Sequence, residues 1–357
     1  MQQGLQKSPR KKKYQTPYGE VLVNRYVYRK RDGGKIYVPL EEQAKLLGGN
    51  YTPKLAKMLS WKYSKMPAKA VAQDLSQNHN RPISAKLVQI VTSCVSAVAI
   101  DKEYEYEYSI PSLGSKVSHI SIGLDGTTSP IRQEGYRETM CATLSLYNKK
   151  AERLHTIYSA VAPESGKNSF YQVLSMEIER LKTKYPDVTY LALADGAKSN
   201  WSYLQDKVQK EILDFYHATE YLGKIAPSMA ADAKTWLEIV CHQLKNKKNG
   251  AKELLKDMKK KYKTLLDVPQ KEALQTAICY YQNNLHRMDY AKYIKEGYPI
   301  GSGVTEAACK AVVKQRVSAS GMRWSRGGIQ EILILRALVC TEGRWTQFWN
   351  KYTQNAA

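Results

Sequence analysis

The segment Val188-Thr189-Tyr190-Leu191-Ala192-Leu193-Ala194-Asp195 constrains the fold more than any other. It is a nearly continuous apolar run that ends on an acid. A strand without polar alternation is one covered on both faces, as in the sheet of an α/β protein. His119-Ile120-Ser121-Ile122-Gly123-Leu124-Asp125 alternates instead, and it also ends on an acid. Residues 139–147 and 154–162 follow it as two further candidate strands. An amphipathic stretch, 169–182, carries Phe170, Val173, Leu174, Ile178 and Leu181 at helical spacing. Beyond Asp195, a short helix over 201–208 and a strand over 212–217 complete the pattern. Three strands, helix, strand, helix, strand predicts one mixed sheet. Hairpin-linked strands form one side and helix-linked strands the other.

The flanks differ from this core. Residues 1–35 hold ten Lys or Arg against Glu20 and Asp32. Residues 20–40 alternate and break at Asp32-Gly33-Gly34, which predicts a β-hairpin with Val21, Val23, Tyr26 and Tyr28 before the turn. Thr52-Pro53 and Pro67 open two helices, and Ser84 caps a third that carries Leu87, Val91, Cys94, Val95 and Val98. Two helices around the polar break 77–82 resemble a helix-turn-helix, whose second helix can enter the major groove; an ordinary helical hairpin has the same pattern. Helices are expected over 221–244, 251–266 and 271–294. Nine lysines between Lys245 and Lys263 make either a solvated face or a track along a DNA backbone. The Gly301-Ser302-Gly303 turn then leads into a helix with Ala308, Cys309, Val312, Val313 and Val317 on one stripe. The expected division is a basic hairpin segment (1–50), a mainly helical DNA-binding region (51–110), an α/β core (116–217), an all-α insertion (218–298) and the remainder of the core (299–357).

Charge narrows the partners. The 357-residue chain carries 55 Lys and Arg against 33 Asp and Glu, a formal charge of +22. Nucleic-acid phosphate is the usual counter-charge for such an excess. No apolar run reaches the roughly 18 residues of a membrane span, and the charged N-terminus lacks a secretory segment. A cytoplasmic protein is therefore expected. The six cysteines sit in apolar stretches without close metal-ligand spacing, which fits a reducing compartment.

Asp125 and Asp195 share a context: each ends an apolar strand and precedes glycine. An acid at a strand end is well placed to meet a ligand at that sheet edge, although Asp-Gly is also an ordinary turn. Glu306, in the first turn of its helix, offers a third hard oxygen ligand, or simply complements the helix dipole. Two Mg²⁺ ions held by such carboxylates, about 3.5–4 Å apart, can activate an oxygen nucleophile and stabilise an oxygen leaving group.

The stretch from Tyr298 through Gly301-Ser302-Gly303-Val304-Thr305-Glu306 to Lys310, with Val313-Lys314-Gln315-Arg316 and Ser320-Gly321-Met322-Arg323-Trp324-Ser325, resembles the signature around the catalytic Glu of ISKra-type bacterial insertion-sequence transposases. These belong to the DDE, RNase H-like superfamily. Leu124-Asp125-Gly126 and Ala194-Asp195-Gly196 look like that family's two Asp strands, with separations of 70 and 111 residues along the triad. The resemblance implies an RNase H-like mixed sheet flanked by helices. It also implies a catalytic, metal-holding triad of Asp125, Asp195 and Glu306 with two Mg²⁺ (or Mn²⁺) ions. The implied reaction is hydrolysis at element ends followed by strand transfer from the 3′-OH. Double-stranded DNA and a homodimer or larger assembly are the implied partners. Asp214 and His217 match a Cys/Asp-x-x-His pattern of related transposases and are candidates for active-site support. Lys310, Lys314, Arg316, Arg323, Trp324 and Arg326 are candidate DNA contacts, Trp324 being equally a core anchor. Relatives often carry a Cys-rich turn where this chain has Tyr28–Lys35, so no metal-stapled hairpin is expected. A catalytically silent DNA-binding derivative and a structure-specific nuclease of the same fold are the alternatives.

Overall fold

The computed structural model describes residues 5–30, 34 and 36–354. At its centre is a five-stranded mixed sheet in the order β5-β4-β3-β6-β7. Strands β3 (His119–Ile131), β4 (Gly135–Tyr147) and β5 (Arg153–Val161) form an antiparallel meander, while β6 (Thr189–Ala194) and β7 (Lys210–Leu213) add in parallel on the other side of β3. This is the mixed sheet flanked by helices that the strand-helix order predicts. Strand β3 is longer than expected: it passes through Asp125 and ends six residues later at Ile131. Its N-terminal half pairs on both sides with strands, and its C-terminal half pairs with β4 and, at its end, with a bridge to Trp324.

A two-stranded sheet precedes the core. Strands β1 (Leu5–Thr16) and β2 (Gly19–Lys30) form one antiparallel hairpin that turns at Pro17-Tyr18. The expected turn was Asp32-Gly33-Gly34. Asp32 and Gly33 lie outside the described residues, and after them the chain returns only as a bridge between Tyr28 and Tyr37. Helices α1 (Pro39–Gln43), α2 (Pro53–Lys65), α3 (Ala68–Asn78) and α4 (Ala85–Asp101) follow, and Ser84 Oγ accepts from Leu87 N at the head of α4 as a side-chain cap.

Across the sheet run α5 (Asn168–Lys184) and α6 (Lys198–Leu204). The helical insertion consists of α7 (Phe215–Met229), α8 (Ala233–Asn246), α9 (Gly250–Thr264), α10 (Val268–Asn284) and α11 (Tyr290–Lys295). The single helix expected over 221–244 is two, because the chain is extended at Ala230 and Asp232 caps α8 through Thr235 N. The chain returns to the sheet as α12 (Gly303–Ala308), a π-helical turn (Cys309–Lys314) and α13 (Gln315–Val317), and closes with α14 (Arg326–Cys340) and α15 (Arg344–Gln354).

Three apolar clusters hold these layers. One joins Ile120, Ile122 and Leu124 of β3 to Phe170, Leu174 and Ile178 of α5 and continues into the insertion. A second packs Leu55, Leu59, Val71, Leu75, Val91 and Val95 against Leu335, Leu338, Trp345 and Phe348. Residues 51–110 therefore share one core with the last two helices. This bears on the helix-turn-helix expectation. The exposed side of α4 presents Gln89, Ile90 and Ala97, with Lys86 its only cation, and its Ser93 and Ser96 are bonded to Glu331 of α14. A helix so poor in donors is badly equipped to read a groove.

At the base of β3, His119 is fully covered. It stacks on Tyr147 at 5.1 Å and meets the edge of Tyr298 at 5.1 Å, and neither ring nitrogen has a hydrogen-bond partner. Burial pushes its pKa down to about 4. In the unfolded chain it returns to about 6.5, so the unfolded state takes up the proton first as the pH falls. Stability is lost across that window, by up to about 3 kcal/mol. His119→Phe is expected to remove this part of the acid sensitivity. Urea unfolding at pH 7 and 4.5 checks it, and parallel profiles for wild type and variant would refute it.

Candidate active site

Strand register brings the two aspartates together. The parallel pairing of β3 with β6 runs from His119 opposite Thr189 to Gly123 opposite Leu193. Two residues further along the same register, Asp125 stands level with Asp195, just past the end of β6. Side chains alternate along a strand, so Ser121, Gly123 and Asp125 share one face of β3. The other face carries the buried apolar residues Ile120, Ile122 and Leu124.

Onto the face of Gly123 and Asp125 comes the helix that bears Glu306. It approaches closely because Gly123 has no side chain: a Cβ there would lie 2.0 Å from Thr305 Oγ1. Thr305 Oγ1 is instead 2.7 Å from Thr143 Oγ1 on β4, a buried hydroxyl pair that pins the helix to the sheet. One turn on, the Cys309 thiol contacts both the Asp125 carboxylate and Cys141, the residue opposite Asp125 on β4. Gly123→Ala is therefore expected to cost about 1–3 kcal/mol as an overpacked contact, and to move Glu306 with its helix. A urea midpoint unchanged from wild type would contradict this.

Electrostatics report the same convergence. Burial lifts the Asp125 carboxyl above its ordinary range, and Asp195 and Glu306 add to the lift by repulsion. The Cys309 thiol and Gly126 N–H, the latter 2.7 Å from Asp125 Oδ1, pull against it. Asp195 Oδ1 accepts from Ala197 N at 3.1 Å. Its own carbonyl accepts from Tyr280 Oη of α10 at 2.9 Å, so the insertion holds the backbone of this acid. Gly196, next in line, has φ +100° and packs under the same tyrosine ring, a conformation that favours glycine. Glu306 Oε1 accepts from Ser302 Oγ at 3.2 Å. Among the described residues, no three His, Cys, Asp or Glu side chains stand close enough to hold a metal ion together. Asp195 and Glu306 are near enough to Asp125 to repel its charge, without closing into such a group.

Asp214 and His217 are not on a strand. Asp214 is fully buried and caps α7, accepting from His217 N at 2.7 Å and from Ser302 N across the chain. Ser302 thus links Asp214 to Glu306. The His217 ring lies on its own helix, 3.7 Å from Glu220 Oε1. The expected strand over 212–217 stops at Leu213, because Asp214 satisfies the first amides of a helix more readily than it continues a ladder.

The candidate DNA contacts divide. Lys310, Lys314 and Arg323 are exposed. Arg326 is exposed but forks onto Glu134 at 2.9 and 2.6 Å. Arg316 is a correction: it is buried, donates to the Tyr63 carbonyl at 2.9 Å and lies between the rings of Tyr63 and Trp324. Trp324 is an anchor rather than a free stacking surface. Its Nε1 donates to the Val317 carbonyl, and its backbone pairs with Pro130 and Arg132 at the end of β3. Residue patterns gave no role to Thr143, Thr305, Cys309, Ser302 or Tyr280. A glycine inside a strand does mark close approach of another backbone, and Gly123 carried that signal.

In comparison with known proteins, the chain matches no protein-family model. It also matches no curated protein sequence.

Proposed function

We propose that this chain is a DNA transposase of the ISKra type with an RNase H-like core, and that Asp125, Asp195 and Glu306 form its catalytic set. The observation that carries this reading is the β3–β6 register, which levels two acids at one sheet edge, beside a helix seated there by Gly123. The donor chemistry fits a hard divalent cation. All three groups are carboxylates, and their mutual repulsion at Asp125 is of the kind a cation relieves. Acids that do not close into one group also suit Mg²⁺, which commonly takes one or two carboxylates together with substrate phosphate and water. When bound, Mg²⁺ or Mn²⁺ would supply the activation of an oxygen nucleophile and the charge neutralisation that phosphodiester cleavage requires.

The chain's own residues do the rest. A bound cation would favour the Asp125 carboxylate, which the Cys309 thiol and Gly126 N–H also stabilise. Ser302, held by Asp214, fixes the orientation of Glu306. The exposed Lys310 and Lys314, four and eight residues beyond Glu306, are placed for phosphate contact along the same helix. Double-stranded DNA is the partner, element ends first and target second. Two ends must be held at once, so a dimer or larger assembly acts in the bacterial cytoplasm.

Incubating the purified chain with duplex DNA from the element's own termini and Mg²⁺ tests the proposal. End-specific nicking with strand transfer, lost in Asp125→Ala, is the expected result. Binding without cleavage would instead mark a silent derivative, and junction cleavage without strand transfer a nuclease.

A further inference from the structure

The hairpin β1–β2 carries eight Lys and Arg against Glu20, and its two faces are used differently. Its inward face is anchored. Lys12 Nζ, Tyr14 Oη and Arg25 Nε all converge on Glu41 Oε1, at 3.0, 2.7 and 3.2 Å, and Val27 is buried. Near the turn, Arg81 donates to the Thr16 carbonyl at 3.2 Å, and Lys54 to Tyr18 Oη at 2.8 Å. The ribbon therefore lies fixed along the body, with its opposite face outward.

That outward face is set by register. Lys7, Lys11 and Lys13 of β1 alternate onto it, and on the same face Leu22 pairs with Lys13, Asn24 with Lys11 and Tyr26 with Pro9. These residues are all exposed, Leu22 by 57% and Tyr26 by 53%. Lys7 Nζ sits 3.9 Å above the Tyr26 ring, and Lys13 is paired with Glu20 at 2.7 Å. Leu22 is thus an apolar side chain left open to solvent beside lysines on an anchored ribbon.

We infer that this outward face is a duplex-DNA reader that lies in the major groove, with the lysines on phosphates and with Asn24 and Leu22 toward base edges. The major groove is about 12 Å wide and admits a two-stranded ribbon. Residues on one face of a strand recur about every 7 Å, which sets a row of cations along the groove wall. Asn is suited to bidentate bonding of adenine, and an apolar side chain to the thymine methyl. Duplex RNA, whose major groove is deep and narrow, would not accept the ribbon. The inference extends the transposase reading to how element DNA is recognised, but its test does not require turnover.

Fluorescence anisotropy with a 30-base-pair duplex (about three helical turns), in EDTA, tests it on the full chain. The triple variant K7Q/K11Q/K13Q is expected to lose at least about tenfold in affinity. Its log–log salt dependence should become shallower by about 2–3, since each phosphate contact contributes about 0.9. Asn24→Ala should keep most of the affinity but lose an adenine preference when both proteins select sites from a randomised duplex pool. Equal affinity and slope for wild type and triple variant would overturn the inference, as would equal binding of duplex RNA. If the triple variant is misfolded by circular dichroism, Lys11→Gln alone is read, with an expected slope change of about 1. Ribbon-dependent binding without any Mg²⁺-dependent cleavage would sink the catalytic reading and leave this one standing. Cleavage and binding untouched by the ribbon substitutions would do the reverse.

Discussion

Asp125→Asn is expected to abolish Mg²⁺-dependent nicking and, in the same protein, to raise the melting temperature in metal-free buffer. The two effects have one origin. Burial and the neighbouring Asp195 and Glu306 charges hold the Asp125 carboxyl above its ordinary range, so the folded protein binds its proton more tightly than the unfolded chain. Stability from this group is complete below the unfolded value of about 3.9. It is lost as the pH rises through the raised folded value, so at neutral pH the ionised group strains the fold. Asparagine removes the charge and the strain together. On the proposed reading, bound Mg²⁺ would relieve the same strain in the wild type. At about a hundred times its dissociation constant it would add about 2.7 kcal/mol, an increment the asparagine variant should lack. The loss of transition-state stabilisation, several kcal/mol for a catalytic cation, is about a hundred- to thousandfold in rate or more. Thermal melts with and without Mg²⁺, beside a nicking assay, test both halves. A variant that melts lower than wild type in EDTA would refute the electrostatic account.

Arg336→Met is expected to be the most destabilising single change away from the acids, at about 3 kcal/mol or more. Arg336 is buried on α14, and no carboxylate pairs with it among the described residues. It donates instead to backbone carbonyls: Ser64 at 3.0 Å, Val312 at 3.3 Å and Ala311. The last two belong to the π-helical turn between Glu306 and Arg316. A π turn shifts carbonyls out of the regular i→i+4 ladder, and the guanidinium collects them. Methionine keeps the volume but leaves several buried acceptors unpaired, each costing about 1–3 kcal/mol. Lysine should rescue little, since it lacks the planar fork. Urea denaturation of the three proteins decides this. A methionine variant within 1 kcal/mol of wild type, a margin typical of innocuous surface changes, would show that the π turn needs no brace.

The core was legible where pattern and burial agree. The apolar run through Leu193 makes an inner strand, Ser84 caps its helix, and Ala308, Cys309, Val312, Val313 and Val317 are all buried as one stripe. Failures fell where a side chain's partner is distant in sequence. Arg316 has the composition of a phosphate clamp, but Tyr63, more than 250 residues away, takes it. Asp214 belongs to a segment with strand propensity, yet it caps a helix through His217 N while its other oxygen is held by Ser302, far along the chain. The hairpin turn at Pro17-Tyr18 had no reading in the pattern, whereas the expected Asp32-Gly33-Gly34 break has Asp32 and Gly33 outside the described residues, between the antiparallel partners Tyr28 and Tyr37. Of the candidate acids, Asp125 and Asp195 could be recognised as strand-edge residues. Their alignment could not, because spacing along a chain does not specify register.

That distinction has a consequence for variation. The two aspartates meet through hydrogen-bonded rungs, so the number of residues between them is free to change in any surface loop without disturbing their meeting. Parity is what cannot change. A slip of β3 by a single rung would turn Asp125 to the opposite side and offer Ile122 or Leu124 to Thr305 in place of Gly123. A homologue with a quite different interval between its acids could therefore carry the same site, whereas one with the same interval and a bulge in β3 would not.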